Sequence, residues 1–346
     1  MQTKRLTITG DETHDQAVYE EAAALIRAGE LVAFPTETVY GLGANALDGE
    51  AVKKIYIAKG RPSWNPLITH VSSRDMLNTL VRSYPKDFEI LAAKFMPGPL
   101  TFLLPKTDIV PKEVSAGLNA TTVRMPNHPV ALKLIATAGV PIAAPSANRS
   151  GRTSPTTADH VLEDLDGRIA AVIDGGRCGV GVESTVIDIM QEPPLILRPG
   201  GVTKEEIEAV LGRAVNVFKK SAEGTDDKGL PSPGMMLRHY APNAKLINTG
   251  DTAEQLFAEL AMQLSVGNKV GVLLPSDWPL PAAQKGNKAI TVYDYGSWAD
   301  WQTMAQRVFD GLRWLDKQGV NVIIGPLPPE QGLGLALRDR LIRAAK

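Results

Sequence analysis

Three short stretches of this chain hold residue types that could grip a polar substrate. In PTETVYGLG, Pro35 to Gly43, the residues Thr36, Thr38 and Tyr40 bring hydroxyls, and Gly41 and Gly43 leave backbone amides uncovered. In KGR, Lys59 and Arg61 flank a glycine; lysine offers a mobile point charge and arginine a planar fork suited to phosphate or carboxylate. In APSAN a strand ends at Pro145, and Ser146 and Asn148, two positions apart, share one side. The chemistry on offer is anion binding. Singly, each stretch also has an ordinary explanation: a turn, a solvated helix end, a cap for the next segment.

Acidic residues avoid the neighbourhood. None lies between Glu50 and Asp75, where Lys53, Lys54, Lys59, Arg61, Arg74 and His70 fall, or between Glu113 and Asp159, where Arg124, Lys133, Arg149 and Arg152 fall. Charged residues form 22% of the chain with signs nearly balanced, so two such windows are a bias. A phosphate site accounts for them, because a facing carboxylate raises the free energy of every phosphate. Loops and apolar strands poor in any charge account for them equally.

Several chemistries are disfavoured. GLGANA, from Gly41, matches a dinucleotide fingerprint, but Pro35 to Gly41 separate it from the preceding strand and the acidic residue expected further on is missing. No G-x-x-x-x-G-K-[ST] loop occurs. The single cysteine, Cys178, and five histidines show no zinc spacing, and Cys178 reads as an inert small residue. Net charge of −1 argues against a globally basic nucleic-acid binder. No run approaches the roughly 20 apolar residues of a membrane span and the N-terminus lacks a signal-peptide core, so a soluble cytoplasmic protein is expected.

The elements that must hold these groups follow from periodicity. With 346 residues, 44% of them hydrophobic, two packed domains are expected. Thr13 and Gln16 read as a capping box for a helix stopped at Gly29, and LVAF as a buried strand. Asp48 caps a helix through Val52, Ile55 and Tyr56, placing Lys59 in its last turn and Gly60 beyond. LITHV, LTFLL, VPIAA, AAVID, STVID and LILR read as strands between helices such as HPVALKLIATAG and ADHVLEDLDG, an α/β fold around a mixed sheet. After the helix TKEEIEAVLG the chain loses its period, and from residue 244 strands KLINTG, KVGVLLP, AITVYDYG and VNVIIGPLP alternate with helices near 252–266, 299–318 and 333–345 in a small Rossmann-like pattern. His70 fits a core histidine or a ligand, Met235 and Met236 a lid or a gap-filler, and Trp298, Trp301 and Trp314 domain packing.

Taken in order, PTETVYGLG, KGR, TVR, PSAN, ESTV, LRPG and SPGMMLRHYAP resemble the threonylcarbamoyl-adenylate synthases, the YrdC-type family, in their long two-domain form. The resemblance runs from about residue 15 to 243 and matches the second domain by layout only. It implies a YrdC-like twisted mixed sheet with a large basic cavity over residues 1–212, a linker or lid over 213–243 and a Rossmann-like domain over 244–346. It also implies synthesis of threonylcarbamoyl-AMP and pyrophosphate from L-threonine, bicarbonate and ATP. The product modifies the adenosine beside the anticodon in tRNAs reading ANN codons.

Carried over by motif, Lys59 and Arg61 are catalytic and, with Asn65, hold the ATP phosphates. Thr36, Thr38, Tyr40, His70, Arg124, Ala144 and Ser184 line the L-threonine pocket, Arg124 as the fork for its carboxylate. Ser146, Asn148, Ser154 and Arg198 lie on the nucleotide with the loop near Ala120, and Tyr240 folds back over the site. Magnesium arrives with ATP. Implied partners are the downstream tRNA threonylcarbamoyl transferase machinery and, weakly, double-stranded RNA or tRNA. Two rivals remain: an RNA-binding module using the basic windows, and a hydrogenase-maturation carbamoyl-transfer module, whose zinc-binding cysteines this chain lacks.

Overall fold

The computed structural model describes residues 2–218 and 239–346, and these divide into two units. The first comprises the chain up to Ser150, Ser154–Gly179 and the stretch beginning at Glu183; the second takes Gly151–Thr153, Val180–Val182 and the residues from His239 onward. No helix among the described residues is long and apolar enough to cross a membrane.

In the first unit, eleven described strands form one mixed sheet in the order Lys4–Thr7, Ala171–Asp174, Val32–Phe34, Gly41–Asn45, Ile142–Ala143, Ile68–His70, Ala120–Arg124, Leu100–Pro105, Thr185–Asp188, Leu195–Arg198, Asn216–Val217. The short apolar runs of the sequence are thus strands, and they supply one extended core with Leu42, Val52, Ile55, Phe88, Phe102 and Val123. Each such side chain taken from water contributes roughly 1.5 to 3 kcal/mol. Asn216–Val217, the sheet edge beside Leu195–Arg198, lies inside the span 213–243 expected to be linker. Residues 219–238 of that span, with Met235, Met236 and most of SPGMMLRHYAP, fall outside the described residues.

In the second unit the order is Lys245–Thr249, Val322–Pro326, Val270–Pro275, Ile290–Gly296, all parallel, with helices Ala253–Ser265, Trp301–Lys317 and Gly332–Ala344. Thr252 and Gln255 form a capping box at the first of these helices. Trp298 precedes its helix and stacks obliquely on Trp278, Trp314 leans on Tyr293, and the Trp301 ring lies against Gly332.

Local chemistry explains most boundaries, including those that differ from expectation. The first helix, Glu12–Arg27, is capped by Asp11, whose carboxylate accepts from His14 N at 2.8 Å, rather than by the expected Thr13 and Gln16. A carboxylate at the positive end of a helix outcompetes a hydroxyl two residues inside it. Gln16 donates instead to Glu20. Three further helices, Arg74–Leu80, Lys86–Phe95 and Lys112–Ser115, belong to the first unit; Ser73 caps the first of them through Met76 N, and the last two are opened by proline without a side-chain cap.

The glycines of PTETVYGLG are not a bare turn. Gly41–Asn45 is a strand antiparallel to Val32–Phe34, with Gly43 opposite Val32, so its backbone belongs to the sheet. A Cβ on Gly43 would stand 2.8 Å from both Ile142 Cγ2 and Phe34 Cε1. Gly43→Ala is therefore expected to cost about 1 to 3 kcal/mol, read as a lower urea midpoint at unchanged slope.

Candidate active site

The helix Gly49–Lys59 delivers the first cations. Asp48 caps it through Glu50 N and Ala51 N at 2.9 and 3.2 Å, and Gly60, with φ of 63°, ends it in the left-handed conformation. Gly60 N donates to Ile57 O and Arg61 N to Tyr56 O, the paired bonds of a Schellman turn. The reversal turns Lys59 and Arg61 inward, and both are buried. The Lys59 ammonium donates to Ser146 O at 2.5 Å and to Asn148 O, clasping the PSAN loop. Ser150 N returns a bond to Lys59 O at 2.8 Å. Burial first, then the Arg61 charge, lowers the Lys59 pKa well below that of a free lysine. Arg61 fans over its own loop, donating to Asn65 O, Asn65 Oδ1 and Pro66 O. Ser146 Oγ donates to Asn148 Oδ1 at 2.5 Å, so the S-x-N pair does share one side.

A second cluster forms where two parallel strands end together. Ile68–His70 and Ala120–Arg124 pair with His70 opposite Arg124. Arg124 is buried and donates through Nη1 to Thr38 Oγ1 at 3.0 Å and through Nε to Gly98 O at 3.2 Å. Thr36 Oγ1 sits 2.7 Å from Thr38 Oγ1 and donates to Val39 O, holding the 36–39 turn under the guanidinium. The Phe34 ring meets His70 edge-on at 6.1 Å, and His70 Nδ1 is buried without a hydrogen-bond partner.

Burial, reinforced by Arg124, lowers the His70 pKa to about 3. The ring is therefore neutral in the folded protein, whereas the unfolded chain binds a proton near pH 6.5. Stability present above pH 6.5 is lost as pH falls toward 3, on the order of 3 to 5 kcal/mol in all. His70→Asn is expected to flatten that slope, measured as urea midpoints across the same range, and no activity inflection above about pH 4 should come from this ring.

One frame joins the clusters. Gly41 bridges Ser146, Leu42 N donates to Pro145 O, Ala147 N to Tyr40 O, and Ala144 N to Ile68 O, so one strand and one loop space His70 from the PSAN segment. Arg198 donates to Ser184 O at 2.8 Å and Ser184 Oγ at 3.2 Å, and Ser184 Oγ meets Thr101 Oγ1 at 2.8 Å. Ser154 Oγ donates to Glu183.

Not every expected residue gathers there. Tyr40 spends its hydroxyl on Gly176 O at 2.7 Å and packs its ring in the core, so it braces the turn instead of offering a free hydroxyl. Ala120 opens its strand opposite Pro105 and packs beside Leu103, Val186 and Leu197. Tyr240, with φ of 67°, lies in the second unit, stacked on Phe309 at 5.4 Å with the Arg340 guanidinium 5.1 Å from its ring centre. Cys178 is buried and its pKa pushed up to about 12 by that burial, which suppresses the thiolate.

The acid-free windows translate only partly into the fold. Lys53, Lys54 and Arg74 pair at the surface with Glu50, Glu30 and Glu89, leaving Lys59 and Arg61 as the buried cations of the first window. Carboxylates from outside the windows enter the site: Asp164 and Glu183 act electrostatically on Lys59. Glu37 Oε2 stands 2.6 Å from Arg124 Nη2. Glu37 sits between the two threonines, and no local pattern in the sequence marks it for this contact. No group of three or more histidine, cysteine or carboxylate residues poised to hold a metal occurs among the described residues.

Comparison with known proteins places this arrangement. The Sua5, YciO and YrdC family model, described as telomere recombination, matches residues 24–200. The model described as threonylcarbamoyl-AMP synthase, C-terminal domain, matches residues 202–346. The chain is 46% identical to a threonylcarbamoyl-AMP synthase of Pyrococcus abyssi over 94% of its length and 93% of the relative's. It is 45% identical to a Bacillus subtilis threonylcarbamoyl-AMP synthase over 100% and 98%. The structure of P. abyssi Sua5 complexed with L-threonine superposes with a TM-score of 0.89 at 44% identity, covering 100% of this chain and 98% of that one. With both domains matched in order, the chain belongs to the threonylcarbamoyl-AMP synthase family, in its two-domain form.

Proposed function

We propose that this chain makes threonylcarbamoyl-AMP and pyrophosphate from L-threonine, bicarbonate and ATP, for the modification of adenosine beside the anticodon in tRNAs reading ANN codons. The observation that carries this reading is the hydrogen-bonded frame that fixes a buried carboxylate fork, Arg124 beside His70, at a set distance from the Lys59 clasp.

Two reactants must meet. L-Threonine takes the Arg124 end, with Thr38 and His70 beside it and Ser184 and the Ala144 backbone completing the pocket. The neutral His70 ring, braced by the Ile68 and Ile142 backbone, stands beside Arg124 at this end. ATP takes the Lys59 and Arg61 end, with Asn65, Ser146, Asn148, Ser154 and Arg198 around it, and brings its magnesium. The threonine ammonium loses a proton, and the free amine adds to carbon dioxide, which bicarbonate yields with loss of water, and sheds its second proton to solvent. An oxygen of the resulting N-carboxylate, a weak nucleophile, attacks the α-phosphate in line with pyrophosphate leaving. No side-chain nucleophile is required, so rate arises from holding three anions together in a cavity with fixed cations. The labile product passes to the tRNA transferase machinery in the cytoplasm.

The test is pyrophosphate release from ATP. It should require both L-threonine and bicarbonate, and release that is indifferent to either would refute the reading. The RNA-binding alternative is tested by adding tRNA, which on this reading leaves the initial rate unchanged.

A further inference from the structure

Among the described residues, Glu37 is a carboxylate with both oxygens buried and no hydrogen bond of ordinary geometry. Its side chain is 12% exposed. Its one close cation among the described residues is Arg124 Nη2, which itself completes no ordinary hydrogen bond. A carboxylate has room for about four donors, and a buried one left without them is destabilising. Nearby, Thr36 and Thr38 are committed to each other, to Val39 and to Arg124. The half-buried His128 acts on Glu37 electrostatically, and its Nδ1 is also without a partner. Beyond the single ion pair to Arg124 Nη2, the Glu37 carboxylate therefore keeps capacity for further N–H donors.

We propose that Glu37 receives the α-ammonium of the amino-acid substrate, so that Arg124 and Glu37 together read a zwitterion. The proposal rests on the assignment of Arg124 to the substrate carboxylate. An α-amino acid carries its ammonium and its carboxylate on one carbon, and the adjacent Glu37 and Arg124 present the complementary charges at 2.6 Å from each other. Glu37 also selects: a ligand bringing a carboxylate without an ammonium meets a second carboxylate on the same guanidinium, and like charges repel. The interaction belongs to the ground state. Once the amine becomes an N-carboxylate, its charge beside Glu37 turns from positive to negative, attraction becomes repulsion, and the new carboxylate is driven away from Glu37.

The experiment compares two ligands that differ at one atom. L-Threonine and (2S,3R)-2,3-dihydroxybutanoate, with a hydroxyl in place of the ammonium, are titrated calorimetrically into wild type, Glu37→Gln and Glu37→Asp. Wild type should prefer L-threonine, and Glu37→Gln should lose that preference by about tenfold or more. Glu37→Asp should keep the preference with weaker binding. In turnover, Glu37→Gln should raise the threonine KM by a similar factor while kcat rises or at least does not fall, because the lost contact belongs to the ground state; general loss of structure lowers kcat instead. Unchanged or tighter threonine binding by Glu37→Gln would mean that Glu37 merely occupies Arg124 until displaced, and overturns the proposal. Should Glu37→Gln fail to fold, wild type crystallised with L-threonine decides: an amine nitrogen beyond about 4 Å from both Glu37 oxygens overturns it. Threonine binding without discrimination removes this proposal alone, whereas no threonine binding by wild type removes the Arg124 assignment beneath it as well.

Discussion

Arg61→Lys lowers threonine-dependent pyrophosphate release by about a hundredfold to a thousandfold while leaving the protein folded. Arg61 holds its guanidinium in place with three bonds to the 65–66 backbone and the Asn65 side chain. Lysine keeps the charge but has no planar fork, so it cannot satisfy that loop and face a phosphate together. The loss should appear in kcat as well as KM, because the triphosphate gains its tightest contacts as the α-phosphate is attacked. Wild-type turnover in Arg61→Lys would remove the phosphate assignment, and an unchanged far-ultraviolet circular dichroism spectrum guards against trivial unfolding.

The second result concerns Arg124. Arg124→Met should abolish threonine binding and also destabilise the fold by about 3 to 5 kcal/mol, because Glu37 is left as an uncompensated buried charge. The double variant with Glu37→Gln should recover much of that stability and none of the activity. Thermal melts and the pyrophosphate assay separate the two effects, and a double variant no more stable than Arg124→Met would show that the Glu37 contact carries little energy.

Much of the frame was legible in the residues. Asp48 at the helix start, Lys59 in its last turn and Gly60 beyond it obey capping rules that act over a few residues, and the structure has them so. The same rules failed at Thr13, where an aspartate two residues earlier offered a stronger acceptor. Sheet order was not legible, because Ile68–His70 reaches Ala120–Arg124 across a long stretch of intervening chain and no local pattern encodes such pairings. Glu37 was hidden for a related reason. Its partner Arg124 is distant in sequence, and the absence of acids around the cations drew attention from the acid that the fold returns to them.

The pairing of His70 with Arg124 has a consequence for how such a chain can diverge. Side chains alternate between the faces of a strand, so adding or deleting one residue within Ile68–His70 or Ala120–Arg124 would invert one partner and leave the other in place. Changes in length are therefore expected to spare both strands and to collect in exposed turns such as 190–193.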